Sequence, residues 1–294
     1  MKKKYLIVTG GAGFIGSNLI EKLLKETKYK IISLDNYSSG FKKNHIQNNR
    51  VVYINGNTKN FKKIFSKIKS KIKAIFHFGE FSRIAQSFES YDKLYESNVK
   101  GSFEVISFCK QNKIKIIYSA TSASFGNNFS DQNLSPYAFT KTQNLKLILN
   151  FSSWYDLKYE IIYFFNVYGP RQIINHKMSA VIGIFEECKR KNIALPVVRP
   201  GTQKRNFTHV EDTVNACILA FKKNKNRQYT TSHKNSYNIL ELARLFKQKY
   251  KFLPPRKGER FESTLINRVL DKKIYHLKAK KDLKKYIQDF LKTL

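Results

Sequence analysis

Tyr137 and Lys141 stand four residues apart in Tyr137-Ala-Phe-Thr-Lys141. On a helix that spacing puts the phenol and the ammonium on one face. The ammonium then favours the phenolate and brings the tyrosine toward a pKa useful for proton transfer. Taken alone, the pair has a second reading. In a chain with 17 tyrosines and 55 lysines and arginines, the same spacing arises on ordinary helix faces. The position of the pair, after the apolar run Ile114–Ser119 and in a chain with a nucleotide-binding signature, favours the chemical reading.

That signature is Thr9-Gly10-Gly11-Ala12-Gly13-Phe14-Ile15-Gly16. It follows a β run and opens an amphipathic helix, the context a dinucleotide fingerprint requires. Gly10 serves the tight turn, Gly13 the approach of backbone to a pyrophosphate, and Gly16 the packing of helix on strand. The free N–H groups at the helix start face the phosphates. Asp35 ends the run Ile31–Leu34, where an acid accepts hydrogen bonds from the adenosine ribose. A carboxylate there repels a 2′-phosphate, so NAD is expected over NADP, although Lys42 and Lys43 lie close by in sequence.

These residues need a scaffold. Short β-rich runs at Tyr5–Val8, Ile31–Leu34, Val51–Ile54, Ala74–Phe78, Ile114–Ser119 and Tyr159–Phe164 alternate with helical stretches. This is the pattern of a doubly wound parallel sheet. Helices are expected from Ile15, over Tyr91–Gln111 with Leu94, Val99, Phe103 and Ile106 inward, and over Tyr137–Tyr155. Beyond Gly169-Pro170 the spacing predicts helices over Met178–Lys191, Glu211–Lys223 and Ile239–Tyr250, and a lysine-rich amphipathic helix at the end. Extended runs fall at Leu195–Val198 and Asn206–His209. The fold expected is α/β: a Rossmann core over 1–168, completed by parts of 204–232, with a smaller C-terminal substrate-binding cap over 169–294.

At 294 residues and 41% hydrophobic content, the chain can bury a substantial core. Every apolar run is broken well short of a membrane span. Tyr5-Leu-Ile-Val runs into glycines instead of a signal-peptide cleavage site. Cys109, Cys188 and Cys217 have no metal or redox spacing and read as buried, inert thiols. A cytoplasmic protein without metal or membrane insertion is expected. The net charge of +34 would suit a nucleic-acid partner. The lysines are instead spread along the chain beside inflated Asn and Ile, with no nucleic-acid motif, so the charge reads as compositional.

Further motifs occur in one order: Leu34-Asp35-Asn36, Phe76-His77-Phe78, Asn98-Val-Lys-Gly101, Thr121 ahead of Phe125-Gly126, and Asn166-Val-Tyr-Gly-Pro-Arg-Gln172. Arg205-Asn-Phe-Thr-His-Val-Glu-Asp212 and Arg256-Lys-Gly-Glu259 come later. With the glycine cluster and Tyr137/Lys141, they resemble the NAD-dependent nucleotide-sugar epimerase/dehydratase family of extended short-chain dehydrogenases/reductases, over nearly the whole chain. The resemblance implies that Thr121 holds the reacting sugar oxygen and Tyr137 is the acid/base. Lys141 holds the nicotinamide ribose and tunes the tyrosine. It implies cofactor contacts at Gly10, Gly13, Phe14, Ile15, Gly16, Asp35, Asn36, Asn57, Thr58, Phe78, Gly79 and Asn98, the last supporting the active-site helix. Ser122, Asn166, Arg205 and Arg256 are expected against the substrate, the arginines on its diphosphate. A homodimer joined through the helices near Tyr91 and Tyr137 is also implied.

The chain departs from the family at several positions. Asn57 replaces an aspartate, Tyr163 an arginine, and the stretch from Gly126 to Pro136 is short. Glu80 stands where a small residue is usual and is a candidate substrate contact. Thr121-Ser122-Ala123 lacks the carboxylates that follow the threonine in dehydratases and decarboxylases. Elimination is therefore disfavoured and reversible oxidation of one carbinol remains. The expected reaction is epimerisation at C4 of a UDP-hexose. Alternatives are an ADP-heptose 6-epimerase, a dehydratase, a keto-sugar reductase, or a non-catalytic NAD- or RNA-binding protein on the same fold.

Overall fold

The structure is a computed structural model that describes residues 4–125, 133–174, 177–258, 262–263 and 274–294. Gly126 and Glu259, quoted above in motifs, lie outside the described residues.

Branched apolar residues build the central strands: β1 (Tyr5–Thr9), β2 (Lys30–Asp35), β3 (Val51–Asn55), β4 (Ile72–His77), β5 (Lys115–Thr121) and β6 (Tyr159–Phe164). Two more, β7 (Gln228–Ser232) and β8 (Ile274–Lys278), extend the sheet. The order is β8-β7-β6-β5-β4-β1-β2-β3, with every neighbouring pair parallel. The order reverses beside β1, so a crevice opens there at the carboxyl ends of the strands.

The two-residue period of a strand divides the core. Leu6, Val8, Ala74, Phe76 and Ile117 face one side. There they meet α1 (Phe14–Glu26) through Leu19, Ile20 and Leu23, and α5 (Val210–Lys223) through Val214 and Cys217. Ile7, Ile75 and Ile116 face the other side with Phe61 and Phe65. They meet α2 (Ser102–Gln111) through Val105, Ile106 and Phe108, and α3 (Pro136–Tyr155) through Ile148. A separate apolar cluster joins α4 (Val181–Arg190), the strand Leu195–Val198, α6 (Ile239–Leu245) and α7 (Leu283–Leu291) through Phe185, Val197, Phe246 and Phe290. The three cysteines are free and buried, and burial pushes the Cys109 and Cys217 thiols well up.

The structure corrects three expectations. Phe103, expected inward, is 53% exposed. The helical stretch from Tyr91 passes through a π-helical segment at Tyr95–Gly101, which shifts the phase of everything after it. The inward residues of α2 are therefore Val105, Ile106, Phe108 and Cys109. The helix expected over Ile239–Tyr250 stops at Leu245, because Tyr250–Leu253 is drawn into a parallel pair with Leu195–Val198. β7 lies within the 204–232 stretch expected to complete the core but was not marked by any local strand run, and β8, in the stretch assigned to the cap, was not expected to be sheet.

Candidate active site

At the β1–α1 turn, Gly10 has φ +72°, which favours glycine. A Cβ on Gly16 would sit 2.1 Å from the Gly10 carbonyl oxygen, so only glycine lets α1 dock this closely. Gly13 occupies the N-cap position with no side-chain cap, leaving the first-turn N–H groups open to the cleft. These features fit a pyrophosphate, whose charge the helix start favours. Asp35 ends β2 and is 7% exposed. It accepts from Ala12 N at 2.9 Å and from Tyr37 N at 2.8 Å. Burial pushes its carboxyl up, and those N–H groups oppose the push. The lone pairs left over can accept ribose hydroxyls.

The catalytic candidates come from β5 and α3. Thr121 ends β5, 9% exposed, with its Oγ1 accepting from Ala123 N at 3.2 Å. Ser135 caps α3 through a 3.1 Å bond from Ala138 N, and Pro136 fills the first turn. That start places Tyr137 and Lys141 on the helix face that lines the cleft. Tyr137 is 9% exposed.

One cleft of about 450 Å³ brings most of the expected residues together. Gly10, Gly13, Phe14, Ile15, Gly16, Asp35, Asn36, Thr58, Phe78 and Gly79 line the cofactor side. Thr121, Ser122, Tyr137, Lys141, Asn166, Arg205 and Arg256 line the rest. Asn166 donates to Asn206 O at 2.8 Å, and Arg205 to Lys204 O at 3.0 Å.

Two expected contacts, Asn57 and Asn98, do not line the cleft, and a third, Glu80, lines it but is engaged by the protein. Asn57 is not in the lining; its side chain caps a short turn by accepting from Lys59 N at 3.0 Å. Asn98 is fully buried and braces the loop after β4, accepting from Phe81 N at 2.7 Å and donating to Phe81 O at 3.0 Å. It serves as a brace behind the cleft lining, in keeping with the supporting role expected of it. Glu80, expected against the substrate, has a side chain only 3% exposed and is ion-paired with Lys141. A carboxylate so enclosed is spent on its protein partners.

Two residues that sequence reasoning missed also line the cleft. Arg83 donates from Nε to Met178 O at 2.6 Å and from Nη1 to Ser82 O at 3.0 Å. Among the described residues it has no ion pair with a carboxylate; burial lowers its pKa, and an ionised Tyr137 nearby would oppose that shift. Gln203 is buried, donates to Val198 O at 3.3 Å and, among the described residues, leaves Oε1 without a partner. The polar cluster Glu80-Phe-Ser-Arg83 was a signal for the first, whereas nothing marked the second.

The NAD dependent epimerase/dehydratase family model matches residues 6–239. A putative UDP-glucose 4-epimerase of Methanocaldococcus jannaschii is 31% identical over 274 residues, covering 86% of this chain and 87% of its own. The UDP-N-acetylglucosamine 4-epimerase of Methanobrevibacter ruminantium M1, solved with UDP-N-acetylmuramic acid, superposes with a TM-score of 0.84. It is 27% identical, and the match covers 100% of both chains. The UDP-glucose 4-epimerase of Thermotoga maritima, solved with UDP-glucose, gives a TM-score of 0.86 at 25% identity over 98% of this chain and 99% of that one. With the glycine turn, the open helix start and Asp35 arranged as a dinucleotide requires, the chain belongs to the NAD-dependent epimerase/dehydratase family, and its cofactor is NAD.

Proposed function

We propose that the protein is an epimerase of a nucleotide-activated sugar, acting at C4 of a UDP-hexose through a transient keto-sugar. One observation carries the choice of reaction. Among the described residues lining the cleft, the only carboxylates are Asp35, bonded to backbone at the cofactor side, and Glu80, enclosed with Lys141. Ala123 is the second residue after Thr121. Among the described residues no free carboxyl group stands by to drive loss of water, which favours assigning proton transfer to Tyr137.

NAD supplies the hydride acceptor, and later the donor, for one carbinol carbon. Thr121 holds the reacting oxygen through its hydroxyl. Tyr137 removes the hydroxyl proton as the carbinol is oxidised and returns it when the keto-sugar, turned within the cleft, is reduced on its opposite face. Lys141 supplies the positive charge that favours the phenolate. Arg205 and Arg256 hold the diphosphate, for which guanidinium geometry is suited. Oxidation and re-reduction of the one carbinol cancel over a turnover, so the product keeps the mass of the substrate.

The protein is further proposed to work as a homodimer. Tyr91, Tyr95 and Phe103 on the helical stretch into α2, and Phe139 on the adjoining α3, are 55%, 40%, 53% and 46% exposed. Large apolar groups gathered on neighbouring helices suit a helix-on-helix contact between copies.

The test is incubation of purified protein with UDP-, ADP-, GDP- and dTDP-sugars, followed by isomer-resolving mass spectrometry. The expected product is an isomer of a UDP-hexose, formed without added reductant. A product lighter by water would overturn the reading. Tyr137→Phe is expected to lower turnover at least about a hundredfold while NAD binding is kept.

A further inference from the structure

Glu80 is the most heavily engaged side chain near the site. Its Oε2 accepts from Lys141 Nζ. Its Oε1 accepts from Ser102 Oγ at 2.8 Å, Asn144 Nδ2 at 2.9 Å and Tyr118 Oη at 3.1 Å. Behind it runs a directed chain. The Ser102 hydroxyl gives its one proton to the carboxylate, so it accepts from His77 Nε2 at 2.9 Å. His77 Nδ1 then accepts from the Thr9 hydroxyl at 2.8 Å. His77 is thus neutral, with burial lowering its pKa to about 4.

The groups facing Glu80 are therefore His77 from β4, Tyr118 from β5, Ser102 from α2, and Lys141 and Asn144 from α3. Lys141 is the only cation among them. Its side chain is 4% exposed, so water compensates little of its charge. Among the described residues, its other polar and ring contacts are the Ser119 carbonyl and the face of the Tyr118 ring, 4.3 Å away. Tyr137 shares its helix face, and Arg83 is the second cation near Tyr137.

We propose that Glu80 is a positioning residue for the reaction: it is the counter-ion that pins Lys141 and keeps its positive charge on the helix face shared with Tyr137. This rests on the reading of Tyr137 as acid/base. Burial pulls the Lys141 ammonium down, and the charge and hydrogen bond of Glu80 oppose that pull. Burial also pushes the Glu80 carboxyl up, but the charge and hydrogen bond of Lys141 and the hydrogen bond from Ser102 hold it below its ordinary value. Without the carboxylate, a buried amine facing one carbonyl and one ring sheds its proton toward neutral pH. A neutral amine gives the Tyr137 phenolate no electrostatic support.

Glu80→Gln keeps the shape and removes the charge. The ionisation of Tyr137 is read from near-ultraviolet tyrosinate absorbance, as the difference between each protein and its Tyr137→Phe counterpart. This titration needs no substrate. Glu80→Gln is expected to raise the midpoint by about one pH unit, leaving roughly tenfold less phenolate at neutral pH. Turnover falls by a similar factor with KM unchanged, and Glu80→Asp gives an intermediate midpoint. A midpoint that stays put or falls in folded Glu80→Gln overturns the proposal. Should that variant not fold, an unchanged midpoint in Glu80→Asp overturns it as well. Retained turnover in Tyr137→Phe would instead defeat the acid/base reading, while the titration would still report whether Glu80 governs the charge on Lys141.

Discussion

His77 is fully buried between Thr9 and Ser102 and stays neutral down to about pH 4. Unfolded, it would take a proton near pH 6.5. The unfolded chain therefore binds more protons across that window, and stability falls as pH drops from about 6.5 to about 4. A depression of that size corresponds to about 3 kcal/mol. Urea midpoints measured across this range should fall with acid in the native protein and flatten in His77→Gln. Glu80, held below its ordinary value, contributes stability above that value and loses it at still lower pH. Sequence alone gave Tyr137, Lys141 and Asp35, because their meaning depends on short spacings and on the ends of strands. The engagement of Glu80 was hidden, because its partners lie 22 to 64 residues away along the chain. Only the stacking of β4 between β1 and β5 brings them together.

At the scale of elements, the glycine turn is the part with least room for change. An added Cβ at Gly16 meets the Gly10 carbonyl oxygen at 2.1 Å, a backbone atom that cannot swing aside. Gly16→Ala should push the start of α1 off β1 and misplace the N–H groups aimed at the pyrophosphate. NAD affinity, measured by calorimetry, is expected to fall at least about tenfold, and the melting temperature to fall with it. Five of the six strands from β1 to β6 were legible because each is a dense apolar run buried on both faces; β3, at the sheet edge and partly exposed, was legible from its Val-Val-Tyr-Ile run. β7, Gln-Tyr-Thr-Thr-Ser, and β8, Ile-Tyr-His-Leu-Lys, carry no such run. They are strands because β6 offers a parallel edge, a tertiary cause that no local window contains. The exposure of Phe103 has a similar origin, since the π-helical segment before it breaks the period on which its expected burial rested.

For the whole molecule, the charge of +34 and the exposed aromatics give different expectations. No helix among the described residues is long and apolar enough to cross a membrane. Pairing through Tyr91, Tyr95, Phe103 and Phe139 would bury apolar area, so the dimer should persist in high salt, which screens charge and not hydrophobic contact. Phe103→Glu should yield monomers in analytical ultracentrifugation. A wild-type protein that is monomeric at all concentrations would remove this reading without touching the active-site assignments.

The edge of the sheet bears on how the chain matures. Asp212, at the start of α5, accepts from the backbone N–H groups of Lys280 and Lys281 at 3.0 and 2.9 Å, tying down the segment just after β8. Among the described strands of this sheet β8 comes latest in the chain, so it is made after β7, which it covers. Until it docks, β7 offers a row of unpaired donors and acceptors to any passing strand. A nascent or prematurely terminated chain ending before residue 274 would therefore carry a nearly complete nucleotide-binding crevice and an adhesive flank. Such fragments should gather in aggregates and be cleared by proteases instead of persisting as smaller, weakly active enzymes.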